Sequence, residues 1–507
     1  MNPIKRLAGQ TAIYGIPSIL TRFLNYLLVP LYTYGILTQA EYGVVNVFYS
    51  YSALLMVILT YGMETAFFRF SETHSNRKMV FSTGLSSIMF TSVIFLLLTN
   101  SFPKTIAGWI DYSQYTVFVV WFAWILALDA IAAIPFAKLR ADNRSGRFAT
   151  IKSVSILSNV FFNLFFLVLC PWISNNHGNS VAGEFINLIY RPDWAIEYIF
   201  ISNLLASSIT LVMLLPQIMK VNWAFDFTLW RKMLLYGLPL LIAGMAGIVN
   251  ETFDRLLLRY LLPPDIAEAR VGIYSACYKI AVLMVLFVQA YRFAAEPFFF
   301  ALMKDKDAKV VYARVMDYFI ITVSLIFLVT MLYLDYIFIY FIGPEFRSAR
   351  GVIPILMMAK LFLGIYFNIS IWYKLTGKTM WGALITIIGA IVSVGLNIYW
   401  IPRSPDHLIY GYIGSAWATF FCYSAMMILG YLIGQRYFPI PYNLKKIIGL
   451  LGLTALIYIT SRFLAVENLF LGILINTSLL ILYLVVVALV ERKDIVSLIT
   501  SFRGKTG

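Results

Sequence analysis

The chain has 507 residues, of which 61% are hydrophobic and 12% are charged. A typical soluble domain is about 45–50% apolar and about 25% charged, so a soluble fold could not bury this much apolar surface. The composition therefore predicts an integral membrane protein. A net charge of +15 would suggest a nucleic-acid partner in a soluble protein, but in a membrane protein it first raises the question of which side the basic residues occupy.

A membrane-spanning helix needs about 20 mainly apolar residues. We predict about fourteen such helices in an all-α fold, near residues 10–35, 42–68, 80–102, 114–137, 150–172, 194–219, 233–260, 271–301, 313–342, 351–373, 380–401, 409–434, 444–465 and 468–490. The predicted connections are short, and the longest is an outward loop from about Asn175 to Asp193.

The distribution of lysine and arginine predicts the orientation in the membrane. If the N-terminus is cytoplasmic, most of the 39 basic residues lie in cytoplasmic segments, as the positive-inside rule requires. An even number of spans then leaves the C-terminus cytoplasmic as well. The high net charge is explained by topology, so we expect a lipid bilayer and no nucleic acid as partner.

Two landmarks indicate an internal repeat of six helices. The first and seventh segments both open with Tyr-Gly-x-Pro, at Tyr14 and Tyr236. The second and eighth both open near a glycine, Gly43 and Gly272. A repeat with an even number of helices leaves both halves facing the same way, related by an axis along the membrane normal.

The second and eighth segments also end alike, each in an acid followed by an aromatic cluster, at Glu64 and Glu296. We therefore predict two six-helix lobes, 1–222 and 223–440, followed by two further helices and a short tail at 441–507.

Five basic residues lie inside the predicted spans and away from their ends: Arg22, Arg255, Lys279, Arg292 and Lys360. A charge at the bilayer centre costs about 2.5–3.5 kcal/mol on insertion scales. Each of these residues must therefore face a partner or a water-filled cavity.

Two of the five have an acid four residues away. Glu251 precedes Arg255 and Glu296 follows Arg292, a spacing that puts both side chains on one helix face. An ion pair within each helix is one prediction, and a place in a cavity is the other.

Arg22, Lys279 and Lys360 have no acid within four residues. Unpaired cations in both lobes indicate an anionic substrate, because arginine and lysine bind phosphate oxygens. Asp129 and Asp254 are candidate internal carboxylates, for a plain salt bridge or for ion or proton coupling.

Five stretches resemble the Wzx-type polysaccharide flippases of the multidrug/oligosaccharidyl-lipid/polysaccharide exporter superfamily. They are DRLLL (254–258), VGIYSACYK (271–279), EYG (41–43), LTGKT (375–379) and GSAWAT (414–419). Their order follows that family over nearly the whole chain.

The resemblance implies transport of a lipid-linked oligosaccharide on undecaprenyl pyrophosphate from the inner to the outer leaflet of a bacterial inner membrane, for surface polysaccharide or lipopolysaccharide biosynthesis. It implies no cofactor, leaves Na⁺ or H⁺ coupling open, and makes other polysaccharide assembly proteins candidate partners. The family's cationic cavity maps here to Arg22, Arg255, Lys279, Arg292 and Arg69. The carboxylates assigned to coupling or charge balance are Asp254, Glu251, Glu64 and Asp129.

Three alternatives remain. A lipid II flippase shares the fold and the cationic cavity. A cation-coupled multidrug exporter should have more acids and fewer bases in its cavity. A membrane polysaccharide enzyme should have a large outward loop or a histidine near the membrane, whereas the three histidines, His74, His177 and His407, fall in predicted loops. We therefore expect a transporter and not an enzyme.

Overall fold

The computed structural model describes residues 23–178, 180–219, 223–303, 305–466 and 468–492. Every regular element within these ranges is a helix. Thirteen of the described helices are long and apolar enough to cross a membrane. The all-α membrane fold predicted from composition is therefore confirmed.

The first predicted span is described in part, as the apolar helix α1, Phe23–Thr33. Arg22 and the Tyr-Gly-x-Pro landmark at Tyr14 lie outside the described residues. The other helices of the first lobe are α2 Gln39–Thr60, α3 Met63–Thr73, α4 Arg77–Ser101, α5 Pro103–Trp109, α6 Thr116–Ala141, α7 Ser145–Leu164, a π-helical turn Phe165–Leu169, α8 Cys170–His177, α9 Val181–Ile189 and α10 Ala195–Ile218.

The second lobe and the C-terminal pair continue the same all-helical pattern. Their helices are α11 Phe227–Leu261, α12 Pro264–Leu302, α13 Ala308–Leu332, α14 Leu334–Phe341, α15 Val352–Ile369, α16 Ile371–Leu375, α17 Met380–Trp400, α18 Gly411–Tyr437, α19 Leu444–Phe463 and α20 Leu469–Val490.

The predicted outward loop near 175–193 is wrong in character, because most of it is helical. Helix α8 continues α7 as far as His177, and α9 spans Val181–Ile189. Ser180 caps α9 by accepting a hydrogen bond from the Gly183 amide at 3.1 Å. The Ser174 hydroxyl donates to Asn187 Oδ1 at 2.9 Å, which ties α8 to α9. Polar residues of this segment thus cap α9 and join α8 to α9 by a hydrogen bond.

Helix α11 runs unbroken from Phe227 to Leu261 although Pro239 lies inside it. Proline removes one backbone hydrogen bond, and in membrane helices packing against neighbours compensates for that loss. A neighbour is present: Gly237 lies so close to the end of α2 that a Cβ at Gly237 would be 2.6 Å from the Tyr61 carbonyl oxygen.

The two lobes meet closely where α2 crosses α12. A Cβ added to Gly43 would lie 1.9 Å from the Glu268 carbonyl oxygen, and one added to Gly272 would lie 1.9 Å from the Gln39 carbonyl oxygen. Glu268 comes four residues before Gly272, and Gln39 comes four residues before Gly43. Such a reciprocal contact is what a two-fold relation produces, so the crossing supports the repeat inferred from these glycines.

Further contacts join the lobes at the same end, which the charge distribution predicts to be the outer one. The Gly343 amide donates to Thr33 Oγ1 at 3.1 Å. The Gln39 side-chain amide donates to the Glu345 carbonyl at 2.6 Å. The Tyr42 ring meets the Phe346 ring edge-on at 5.7 Å.

The C-terminal helices attach to the second lobe through α13. The Lys446 ammonium lies 2.9 Å from Asp317 Oδ2 and also pairs with Glu491. The Asn476 amide donates to the Leu332 carbonyl at 2.7 Å. The boundaries at 222 and 440 stay predictions.

The interior of the second lobe contains a packed polar core on α11 and α12. Arg255 is 7% exposed, and its Nη1 lies 3.3 Å from Asp254 Oδ1 and 3.0 Å from the Glu251 carbonyl oxygen. The Tyr274 hydroxyl donates to Asp254 Oδ2 at 2.6 Å. The guanidinium also lies over the Tyr278 ring, 4.2 Å from its centroid. Arg255 is therefore paired with Asp254 and not with the carboxylate of Glu251, from which it takes only the backbone oxygen.

Lys360 completes this core, and it is 0% exposed. Its ammonium donates to the Tyr423 hydroxyl at 3.3 Å and lies 5.0 Å from the Tyr278 ring centroid. Aromatic faces attract a desolvated cation. The Tyr423 hydroxyl in turn donates to the Asn250 carbonyl at 3.1 Å. Lys360, predicted to face a partner or a cavity, is thus held by tyrosines.

We expect Gly43→Ala to destabilise the protein, because the added Cβ would meet the Glu268 carbonyl oxygen. Overpacking of this kind costs about 1–3 kcal/mol. The measurement is the thermal unfolding midpoint of the purified protein in detergent. Gly247→Ala is the matched control, since no heavy atom lies within 4 Å of its added Cβ. Equal midpoints for both variants would contradict the close crossing.

Asp254→Asn should destabilise the second lobe strongly, because it leaves Arg255 buried without its carboxylate. Breaking a buried ion pair on one side costs about 3–5 kcal/mol. Glu72→Gln is the control, because it removes the acid of an exposed pair with Arg77, and such pairs contribute less than about 1 kcal/mol. Unfolding midpoints measure both. Replacing both partners, as in D254L/R255M, should be milder than Asp254→Asn, and the reverse order would sink this assignment.

Candidate functional site

A polar cavity lies in the first lobe and consists of two adjoining chambers. The first, which we name the amide chamber, has a volume of about 230 Å³ and is lined by Asn25, Leu28, Val29, Tyr32, Tyr42, Val45, Asn46, Tyr49, Asn159, Asn203 and Lys279. The second, which we name the charged chamber, has a volume of about 460 Å³. Asn25, Asn159 and Asn203 line both chambers, so the two adjoin each other.

Lys279 is the one residue of the second lobe among the described residues that line the amide chamber. It lies on α12, and α1, α2, α7 and α10 of the first lobe supply the rest. Within the described part of the chain, no carboxylate forms an ion pair with Lys279. A half-buried ammonium is thus presented to a cavity that can admit an anion.

The charged chamber contains Glu64, Asp129, Arg140 and Lys152. Glu64 is in an ion pair with Arg140. Asp129 on α6 lies deep in the first lobe and shares the chamber with Lys152 and Ser207. Acids and bases alternate here, so this chamber is polar without a strong excess of either charge.

The Glu64–Arg140 pair has a counterpart in the second lobe. Glu296, near the end of α12, pairs with Lys374 in α16. The acids are the repeat landmarks at the ends of the second and eighth spans, and the bases follow the fourth and tenth spans. Each lobe therefore closes its predicted cytoplasmic end with an ion pair in the same place.

The remaining predicted site residues lie away from the cavity lining. Arg292 lies 3.8 Å from Glu296, which confirms the predicted pair within α12. Arg69 is exposed and lies over the Tyr236 ring, 4.3 Å from its centroid, at the contact between the lobes. Arg255, Asp254 and Glu251 belong to the second-lobe core described above.

The structure thus places Lys279 in the lining of the amide chamber, and Glu64 and Asp129 in the lining of the adjoining charged chamber. It separates Arg255, Asp254, Glu251, Arg292 and Arg69 from the described lining, and Arg22 lies outside the described residues. The roles assigned to all of these residues, in substrate binding or in coupling, stay predictions.

Sequence reasoning missed the asparagines and tyrosines of the amide chamber. Asn46, Asn159 and Asn203 each stand in a long apolar helix. A polar side chain in a membrane helix usually faces a neighbouring helix or a cavity, so those asparagines were an available signal.

A larger, apolar groove of about 850 Å³ lies across α2 from the polar cavity. Leu54, Leu55, Leu98, Phe102 and Leu126 are among its lining residues. Its chemistry suits hydrocarbon, because its lining has no charged residue and only scattered hydroxyl groups, those of Tyr51, Ser52, Thr99 and Thr105. The polar cavity is therefore the candidate substrate site.

Comparisons with solved structures show which known folds this fold resembles. The chain is similar to the lipid II flippase MurJ in an inward closed conformation, with a TM-score of 0.68 at 14% identity over 95% of this chain and 99% of that one. It is also similar to a multidrug resistance MATE family transporter of the MOP superfamily. The inward-facing form gives a TM-score of 0.60 at 12% identity over 86% of this chain and 94% of that one. The outward-facing form gives a TM-score of 0.60 at 12% identity over 86% of this chain and 98% of that one.

No curated protein sequence matches the chain. The family described as "Polysaccharide biosynthesis protein" matches residues 7–303, more than half of its length. Flippases and transporters share this fold, which agrees with the expectation of a transporter. The chain is a member of the polysaccharide biosynthesis protein family.

Proposed function

We propose that the protein flips a lipid-linked oligosaccharide, carried on undecaprenyl pyrophosphate, from the inner to the outer leaflet of a bacterial inner membrane. The product would supply surface polysaccharide or lipopolysaccharide biosynthesis. The observation that carries this proposal is Lys279, which reaches from the second lobe into a polar cavity of the first. Family membership and the flippase-like fold support it.

The chemistry of the cavity fits a pyrophosphate headgroup. A lysine ammonium is a compact charge with three donors, suited to phosphate oxygens. In a cavity shielded from bulk water its attraction for an anion is stronger than at the surface. Arg22 stands three residues before Asn25 in the sequence. As a predicted cavity residue, it would add a second cation from the first lobe.

The lipid part of the substrate needs a different environment. A prenyl chain gains nothing from amide or charged side chains, so we propose that it stays in the hydrocarbon of the bilayer between helices while the headgroup enters the cavity. The substrate has a polar headgroup and an apolar chain, and the protein offers a polar cavity to the first and apolar helix surfaces to the second.

The step itself is alternating access about the crossing of α2 and α12. The cavity would open on the cytoplasmic side to take the headgroup and on the outer side to release it. Rocking changes the contacts at the lobe ends, where Glu64–Arg140 and Glu296–Lys374 lie. Asp129 beside Lys152 is the candidate for proton or Na⁺ coupling, because it faces the cavity and Asp254 is already bound to Arg255.

A cation-coupled multidrug exporter is the less favoured alternative. A cationic drug would be repelled by Lys279, and the described lining of the amide chamber holds no carboxylate to receive it. In the charged chamber, Glu64 is paired with Arg140, and Asp129 shares the lining with Lys152. A lipid II flippase differs only in the sugar and peptide carried, and the lipid analysis below separates it from a polysaccharide flippase.

Lys279→Glu should reduce surface polysaccharide at least about tenfold, because the reversed charge repels the pyrophosphate. Lys279→Arg should retain most transport, since it keeps a phosphate-binding cation. Lys104→Glu is the matched control, an exposed lysine on α5 outside the cavity lining. Surface polysaccharide is quantified alongside the amount of inserted protein. Wild-type export by Lys279→Glu would refute the role of this lysine.

Loss of the protein should cause a complete undecaprenyl-pyrophosphate oligosaccharide to accumulate on the inner leaflet while surface polysaccharide falls. Mass spectrometry of lipid extracts from cells with and without the protein measures this. Accumulation of lipid II instead would identify a lipid II flippase. An incomplete glycan, or one that reaches the outer leaflet unpolymerised, would point to an enzyme and against transport.

A further inference from the structure

Helix α9 presents an apolar face that points away from the protein. Val181, Phe185 and Leu188 are 87%, 62% and 84% exposed, and their spacing of four and three residues puts them on one side of the helix. The buried residues Gly183 and Ile186 lie on the opposite side. A contiguous group of exposed apolar side chains is typical of an interaction surface, so the apolar face of α9 calls for a partner.

The hairpin of α8 and α9 holds this face in a fixed orientation. The Ser174 hydroxyl donates to Asn187 Oδ1 at 2.9 Å, and the Ser180 amide donates to the His177 carbonyl at 2.9 Å. The first bond lies far from the turn and the second lies in it, so α9 runs back antiparallel to α8. The apolar face therefore stands beside α8, at the same height above the membrane centre.

The base of the hairpin is fixed to α10. The Tyr190 ring stacks on the Tyr198 ring with their centroids 5.5 Å apart, and the Arg191 amide donates to the Tyr198 hydroxyl at 2.7 Å. The helices that the hairpin joins, α7 and α10, supply Asn159 and Asn203 to the polar cavity. Whatever holds the hairpin in place therefore also holds these two helices.

The length of α7 and α8 places the hairpin at the surface of the bilayer. With the π-helical turn they form one segment, Ser145–His177, of 33 residues, which is about 50 Å long at about 1.5 Å per residue. The hydrocarbon core is about 30 Å thick and the whole bilayer about 40–45 Å. Because α7 begins beside Arg144 and Arg147, which are predicted to be cytoplasmic, α8 and α9 reach the outer headgroup layer. Trp172 on α8 is exposed, and tryptophan is enriched at this depth.

A lipid surface fits the apolar face better than a protein partner does. A specific protein interface takes about 20–30 residues from each side, whereas α9 has nine residues in all. Below the hairpin, the exposed side chains of Phe161, Leu164 and Val168 on α7 lie at the depth of the hydrocarbon, so the apolar surface of the hairpin extends one that lipid covers. Short amphipathic helices bury such a face about 5–10 Å deep where headgroups meet acyl chains.

The charge of the hairpin indicates how it would meet the lipid. Glu184 is the one acid between residues 170 and 190, and no lysine or arginine lies in this segment. Basic residues are what draws a helix to anionic headgroups. Attraction to phosphate therefore contributes nothing here, and the apolar side chains alone provide the binding.

We propose that α9 inserts its apolar face into the outer leaflet, where headgroups meet acyl chains, and that the α8–α9 hairpin anchors the first lobe to this lipid surface. The partner is a phospholipid bilayer, bound by apolar insertion whatever its headgroup charge. The anchor holds α7 and α10, and with them one wall of the polar cavity, at a fixed depth. This inference goes beyond the proposed function, because it does not depend on the substrate carried.

The test places a fluorophore on the apolar face of the full-length protein in phosphatidylcholine liposomes. Leu188→Cys is labelled with an environment-sensitive thiol dye. Leu408→Cys is the matched control, since Leu408 is 90% exposed in the polar connection between α17 and α18. Cys170, Cys277 and Cys422 are buried, and labelling of the unsubstituted protein measures their background.

We expect iodide in the buffer to quench the Leu188→Cys label at least about threefold less than the Leu408→Cys label, because a face buried about 5–10 Å deep is shielded from water. Phosphatidylcholine with a nitroxide near its headgroup should quench the Leu188→Cys label at least about threefold more. Equal quenching of both labels by either quencher would overturn the proposal and leave the apolar face to a protein partner.

A second variant shows whether the apolar face causes the insertion. V181S/F185S, combined with the Leu188→Cys label, should raise iodide quenching about threefold, because it removes most of the apolar surface that holds the helix in lipid. Phe463→Ser is the matched control, an exposed phenylalanine at the end of α19, and it should leave quenching unchanged. Unfolding midpoints in detergent should be equal for all variants, since these side chains are exposed. Unchanged quenching in V181S/F185S would contradict the anchor.

Discussion

The close crossing of α2 and α12 sets the position of most functional groups in the molecule. With glycine at 43 and 272, the two backbones touch with no side chain between them. Lys279 follows Gly272 by seven residues, or about two helical turns, so it lies on the same face of α12. The face that meets the first lobe at the glycine therefore presents Lys279 to the first lobe's cavity.

The two lobes differ in what surrounds their buried polar and charged side chains. In the second lobe, Arg255 and Lys360 are enclosed by a carboxylate, backbone carbonyls and tyrosine rings, and the core is packed. In the first lobe, amides and ion pairs surround open space. A charge fully enclosed by partners has little affinity left for a ligand, whereas Lys279, half-buried beside a cavity, retains it. This difference explains why the second lobe contributes a single group to the amide chamber.

Much of this arrangement could be predicted from the sequence. The spans follow from apolar length, and the glycines 43 and 272 marked the repeat that the crossing supports. Lys279 stood out because no acid lies within four residues. Each of these signals depends on residues that are close together in the sequence, and a helix keeps such residues close together in the structure.

The rest depends on which way each helix faces, and apolar helices hide that information. A helix that is hydrophobic all round has no polar stripe to indicate its buried side. Spacing alone therefore paired Arg255 with Glu251, although the neighbouring Asp254 is the acid that Tyr274 holds in place. For the same reason, the asparagines of α2, α7 and α10 could not be assigned to one chamber before their helices were packed.

The reciprocal glycine contact also bears on how such a chain could have arisen. Two identical six-helix proteins would form the same contact as a symmetric dimer, and every residue near the axis would then occur twice. A lysine seven residues after the glycine would face its own copy across the cavity. In this chain the equivalent position of the first lobe is Ser50, which is buried and donates to the Asn46 carbonyl at 2.8 Å. Fusion of two duplicated halves into one polypeptide would free each half to diverge, so that Lys279 lies beside amide side chains at a position where a symmetric dimer would place two lysines that repel each other.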